Sequence, residues 1–384
     1  MNQANYPSYP NYPEGQGCPA YPAYQGQPAQ NLQGQQGYPA QQGYPGYTPG
    51  YYPVRPQAPA FALRRKDPRR SGALRTLNTV GLLIVAQTVL SFALQAAVSV
   101  ICVAAGVNIM GDDLAMVMLS IGLSPVCTAL PPLIYMMKKD WNFHLRFGRS
   151  SFIGCVLVVL GGLGACMAAN IPAAVIKELL EDHGAKELPS VLGNGGGWLN
   201  FWIEFLGVAV MVPVLEEFAF RGVILSSLRR FGTGFAIAAS SVIFGMAHMQ
   251  LSSVVFATIA GVAMGAAYVI TGNLWVSVCI HAMNNGIAVI ESYYYLFTGW
   301  GQPKQELLAG ITMAVACALG MLALVLLLAL RKRLFPKREP MVPADGALYA
   351  PLRVGESILT LLKSVVLWAI AAMVAVETIM LFFI

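Results

Sequence analysis

Residues 198–230 read WLNFWIEFLGVAVMVPVLEEFAFRGVILSSLRR. A stretch this long and apolar meets the ~20-residue requirement of a membrane-spanning helix. Within it, however, sit Glu216, Glu217 and Arg221. An ionisable side chain near the centre of a span costs roughly 2.5–3.5 kcal/mol on insertion scales, so each of the three asks for a reason. The first property decides the fold class; the second marks a candidate site.

The rest of the chain agrees with a membrane reading. Of 384 residues, 56% are hydrophobic and only 11% charged, against about 45–50% and about 25% in an average soluble domain. Such a balance excludes a typical cytosolic enzyme, a disordered acidic protein and a disulfide-stapled secreted module. Candidate spans lie near 76–106, 114–137, 152–176, 198–225, 234–250, 253–271, 274–297, 306–330 and 357–383. The sequence therefore predicts an all-α, polytopic transmembrane helix bundle of eight or nine spans. Eight is the alternative because the last span contains Lys363 and Glu377.

Residues 1–60 are of another kind. They hold 10 of the 16 tyrosines and 12 of the 24 prolines, in repeats such as YPSYPNYP. Proline removes backbone donors, and little apolar mass is left to build a core. This segment reads as a disordered tail, either a solubilising leader or a tyrosine-based segment that binds a protein partner. It has no charged region followed by an apolar one, so it does not read as a signal peptide. The expected organisation is the tail at 1–60, a basic linker at 61–75 and the bundle at 76–330. A basic loop at 331–356 and a C-terminal helix at 357–384 complete it.

Lysine and arginine placement sets the orientation, because cytoplasmic loops retain them. With the tail inside, 20 of the 24 basic residues fall on one face, and Lys177, Lys186 and Lys304 on the other. The N terminus is thus expected in the cytoplasm. The net charge of +6 reports topology in a lipid bilayer, with no case for nucleic acid. Six of the seven cysteines fall in apolar runs and no CxxC pair occurs, so neither a disulfide framework nor a zinc ribbon is indicated.

Two further spans carry polar groups. SSVIFGMAHM (240–249) contains His248, and VSVCIHAMNNGIAVIE (276–291) contains His281 and Asn285 on one helical face. At ~1.5 Å per residue, Glu216, His248, His281 and Asn285 lie roughly 12–21 Å from the nearest cytoplasmic edge. Three helices thus bring a carboxylate, two imidazoles and an amide to a similar depth. Such a set suits water activation. A carboxylate with a histidine can take a proton from water, and a second histidine with an amide can donate to an oxyanion. The alternative is a zinc site on His248, His281 and Glu216, with water as fourth ligand. Glu217 and Arg221 have the i,i+4 order of a stabilising ion pair, Phe244 has the spacing of a packing aromatic, and Gly261 with Gly265 reads as a helix-packing motif.

The segments EEFAFR (216–221), FGMAH (244–248) and HAMNN (281–285) resemble the E-E-x-x-x-R, F-x-x-x-H and H-x-x-x-N motifs of the CPBP (or Abi) family. These are membrane endopeptidases that include the type II CAAX prenyl protease and bacterial bacteriocin-processing and self-immunity proteins. The resemblance covers residues 198–297 well and about 150–330 loosely. It implies that Glu216 with His248 activates water, that His281 and Asn285 stabilise the oxyanion, and that Glu217 and Arg221 support them, with no metal in the favoured mechanism. The expected function is intramembrane hydrolysis of a peptide bond in a CAAX-like or bacteriocin-like peptide or a membrane-protein substrate. The alternative is a non-catalytic immunity protein or peptide-binding scaffold.

Overall fold

A computed structural model describes residues 67–106, 113–139, 147–148, 150–186, 197–335 and 350–383. The tail at 1–60, the linker as far as residue 66 and the loop from 336 to 349 lie outside the described residues. The elements are α1 (Pro68–Ala104), α2 (Asp113–Lys138), α3 (Phe152–Asp182), α4 (Trp198–Phe231), α5 (Thr233–Met246) and α6 (Leu251–Thr271). They continue as α7 (Leu274–Ser292), α8 (Tyr294–Thr298), α9 (Gln302–Leu334), α10 (Val354–Leu362) and α11 (Val365–Met380). No strand occurs among the described residues beyond an isolated bridge between Phe147 and Asn273. The all-α membrane architecture read from the sequence is therefore present.

Among the described residues six helices are long and apolar enough to cross a membrane, and the pair α10–α11, bent by 63°, would make a seventh, against the eight or nine spans expected. α2, whose side chains are described only in part, stands outside that count. The predicted span at 234–250 is a helix of 14 residues, which rises ~21 Å against a hydrocarbon core of ~30 Å. The predicted span at 357–383 is broken near Lys363. Ser364, fully buried, ends α10 by donating to Asn78 Oδ1 (2.6 Å) and caps α11 by accepting from the Leu367 N–H. The linker is also shorter than expected. Asp67 accepts from the Arg69 N–H and Pro68 takes the first helical position, a favourable start, so Arg69, Arg70 and Arg75 belong to α1. Its hydrogen bond with the Arg69 side chain holds the Asp67 carboxyl below its ordinary range.

α4 is an α-helix with two stretches of wider winding, Phe205–Met211 and Phe218–Leu225, on either side of the segment Val212–Glu217. Single π-type insertions of this sort often accompany functional sites. The second stretch is buried from Ala219 to Leu225, packed into the core with Ile243 of α5, Tyr268 of α6 and Ile280 of α7. Contacts between helix ends gather much of the basic sequence at one pole. Arg70 pairs with Glu356 (2.6 Å), the Leu352 N–H donates to the Phe231 carbonyl, and Ser150 donates to the Thr271 carbonyl.

Small residues set how closely the helices cross. α3 meets α9 backbone to backbone: a Cβ on Gly164 would lie 2.7 Å from the Gly320 Cα. Gly164→Ala is therefore expected to lower stability by about 1–3 kcal/mol, the usual cost of overpacking. Gly310→Ala, with nothing within 4 Å of the new methyl, leaves it unchanged. Thermal midpoints of the purified proteins in detergent compare the two.

Candidate active site

Adjacent positions on α4 point Glu216 and Glu217 to different surroundings. Glu217 is fully buried and receives two donors on one oxygen: Arg221 Nη1 at 2.7 Å and His281 Nδ1 at 3.0 Å. Arg221, 1% exposed, also donates to the Gly261 carbonyl at 3.3 Å. Its guanidinium lies 4.5 Å from the centre of the Phe244 ring, a cation–π contact worth about 2 kcal/mol or more when desolvated. Phe244 in turn presents ring contacts to Phe220, His248 and His281 at centroid distances of 4.8, 5.0 and 5.7 Å. One aromatic ring thus lies against the guanidinium and both imidazoles.

Glu216 faces a cavity of about 90 Å³. At ~30 Å³ per water this space holds a few waters. His248, His281, Asn285 and Phe244 line it with Glu216, as do Cys166 of α3, Asn284 of α7 and Met264 of α6. Glu216 Oε2 is buried without a hydrogen-bond partner, and His281 Nε2 lies 3.8 Å from it. The described contacts therefore bring Glu216 nearest to His281, and Glu216 forms no direct hydrogen bond with His248 among the described residues. His248 Nδ1 donates instead to the Phe244 carbonyl at 3.0 Å. A carbonyl only accepts, so the proton sits on Nδ1 and the neutral ring leaves Nε2 as a base. The same argument puts a proton on His281 Nδ1, which faces the Glu217 carboxylate.

Asn285 is placed differently from the simple expectation, because its Nδ2 already donates to the Val208 carbonyl at 3.0 Å. One amide hydrogen remains for another acceptor. Sequence reasoning missed two other groups: Asn284 and Cys166 line the cavity without any signal beyond their position in apolar runs. Glu204, whose charge inside a span left its role open on sequence alone, is buried and accepts from the Tyr293 hydroxyl at 3.0 Å. Met249, directly after His248, has φ of 60°, a left-handed conformation that costs a non-glycine residue about 1–2 kcal/mol. Such strain gathers where a backbone must re-aim a functional side chain.

The zinc alternative can be tested on donor placement. Among the described residues no group of three His, Cys, Asp or Glu side chains is placed to hold a metal ion, so the ligand set does not fit as it stands.

Comparison with known proteins centres on the same stretch. Residues 198–287 match the family described as type II CAAX prenyl endopeptidase Rce1-like. The chain is similar to a protein of Bacillus subtilis (strain 168) named "Putative membrane peptidase YdiL", with 35% identity over 83 residues. That similarity covers 21% of this chain, which spans about a third (34%) of the relative's length. No solved structure matches.

The ion pair yields a stability prediction. Glu217→Leu leaves Arg221 buried without its carboxylate and is expected to cost about 3–5 kcal/mol. The double change Glu217→Leu with Arg221→Met removes both charges and regains most of that loss. Unfolding midpoints of the three proteins in detergent check the order.

Proposed function

We infer, from the likeness of residues 198–287 to the type II CAAX prenyl endopeptidases, that this protein is an intramembrane endopeptidase of the CPBP kind. One observation carries the reading. Glu216 offers an oxygen with no protein partner to a cavity that it shares with two oriented histidines and an amide. Glu217 Oε2 also lacks a hydrogen-bond partner, but of the two carboxylates it is Glu216 that lines the cavity.

In the proposed reaction, a water in the cavity gives its proton to Glu216, with His248 Nε2 as the second base beside it. The hydroxide attacks the scissile carbonyl. The resulting oxyanion accepts the free amide hydrogen of Asn285 and, from the imidazolium form of His281, a hydrogen bond from Nε2. Collapse of the tetrahedral intermediate breaks the C–N bond, and Glu216 returns the proton to the leaving amine. General-base help contributes about 10²–10⁴-fold and an oxyanion donor about 10²–10³-fold. Every step uses protein groups alone. Glu217 and Arg221 act through His281, and Phe244 by holding both rings.

The substrate is a CAAX-like or bacteriocin-like peptide, or the end of a membrane protein, reached from the bilayer. The pole carrying Arg69, Arg70, Arg230 and Arg333 fits a cytoplasmic N terminus by the positive-inside rule.

Glu216→Gln and His248→Ala are each expected to lower the cleavage rate by about 10²–10⁴-fold while the protein still inserts. Reconstituted protein is assayed on quenched farnesylated CAAX peptide and on an unmodified apolar peptide. Excess chelator leaves the rate unchanged. Cleavage undiminished in both variants sinks the endopeptidase reading and favours a non-catalytic immunity protein or scaffold. Inhibition by chelator that zinc reverses would return the metal.

A further inference from the structure

In the first wide stretch of α4, hydrogen bonds reach back five residues, as the Val212 N–H does to the Gly207 carbonyl. In this register the next carbonyl, that of Val208, takes its bond from residue 213. Residue 213 is proline, which has no N–H. With Val212 already committed to Gly207, the Val208 carbonyl is left over inside the bundle, where an unmet polar group is costly. It is met from another helix: Asn285 Nδ2 of α7 donates to it at 3.0 Å. One turn earlier on α4, Glu204 accepts from Tyr293, two turns beyond Asn285. Two buried ties therefore fix this part of α4 against α7.

The geometry points to Pro213 as a positioning residue for Asn285, acting through the carbonyl that it leaves unpaired. This rests on the proposed role of Asn285 at the oxyanion. A primary amide is a donor at one end and an acceptor at the other. Turned by 180°, Asn285 presents its oxygen to a developing negative charge and repels it. The Val208 carbonyl, which accepts only, fixes the nitrogen end toward α4 and leaves the second N–H for the cavity. On helix propensity alone proline is the worse residue at an interior position; here its missing N–H frees the carbonyl that holds the nitrogen end of the amide, while the oxygen end accepts a longer bond from Asn284 Nδ2 at 3.4 Å. Alanine or serine at 213 would bring an N–H to compete for the same carbonyl and release the side chain.

A double-mutant cycle tests this on the full-length protein in detergent, with Pro213→Ala, Asn285→Ala and the two combined. Asn285→Ala is expected to lower the thermal midpoint by about 2–4 °C in the wild-type background, because a buried carbonyl loses its partner. In the Pro213→Ala background the drop is less than half as large. Equal drops in both backgrounds overturn the proposal, whatever the enzyme's activity. Cleavage of the quenched farnesylated CAAX peptide gives the second reading. Pro213→Ala is expected to keep KM within about twofold and lose about tenfold in kcat with no fall in midpoint, as loss of orientation without loss of folding requires. Pro213→Ser, which also restores an N–H, behaves alike. Full kcat in both variants, where Asn285→Ala itself is slow, overturns the proposal. Cleavage indifferent to Glu216→Gln refutes the endopeptidase reading instead, and the midpoint cycle still decides the link between Val208 and Asn285.

Discussion

A guanidinium buried in the middle of an apolar helix bundle has to be compensated, and much of the site is arranged around doing so. Arg221 finds one carboxylate oxygen, one carbonyl and one aromatic face. The carboxylate is Glu217, which uses the same oxygen to accept from His281. The carbonyl is that of Gly261, within reach because α6 crosses closely there: a Cβ on Gly261 would lie 3.1 Å from the Ser241 Cα. The aromatic face belongs to Phe244, whose backbone carbonyl fixes His248. Neutralising one cation thus orients both imidazoles, and Glu216, the neighbouring carboxylate, is left facing the cavity with one oxygen unpartnered.

Two carboxylates adjacent in sequence have opposite duties for a geometric reason. Neighbours on a helix point about 100° apart. Here one direction leads to Arg221 and the other to the cavity. The wide turns on either side of Val212–Glu217 shift the register of everything beyond them. The α4 face that meets α7 is therefore not the one an ideal 3.6-residue period would give.

That shift marks where the sequence stops being legible. Apolar runs revealed most of the helices, and the rarity of charge inside them revealed Glu216, His248, His281 and Asn285 as a group, because a misplaced ionisable residue is costly wherever it sits. Glu217 and Arg221 were readable as a pair by spacing alone. Depth along separate helices gave no lateral distance, so the nearness of Glu216 to His281, and of Asn285 to Val208, could not be read. Both depend on the winding of α4 and on side chains that meet across helices. Breaks inside apolar segments were equally hidden. Ser364 ends one helix and begins another through a contact with Asn78, far away in sequence, and hydropathy registers no such event.

The shortness of α5 has its own consequence. A helix of 14 residues stops before it has crossed the hydrocarbon layer, and a helix end carries backbone groups that no neighbour within the helix satisfies. Protein meets part of this need: the N–H groups of residues 247–250 donate to the carbonyls of residues 243, 245, 246 and 248, and residues 250–253 share a cavity with Lys177, Glu181 and Lys186. Such a break is stable only if protein or water reaches it. His248, the base of the proposed reaction, sits in this break, two residues before the Gln250 that lines this cavity. The hydrolysis proposed above would need a supply line for water, and a truncated helix is a way of building one.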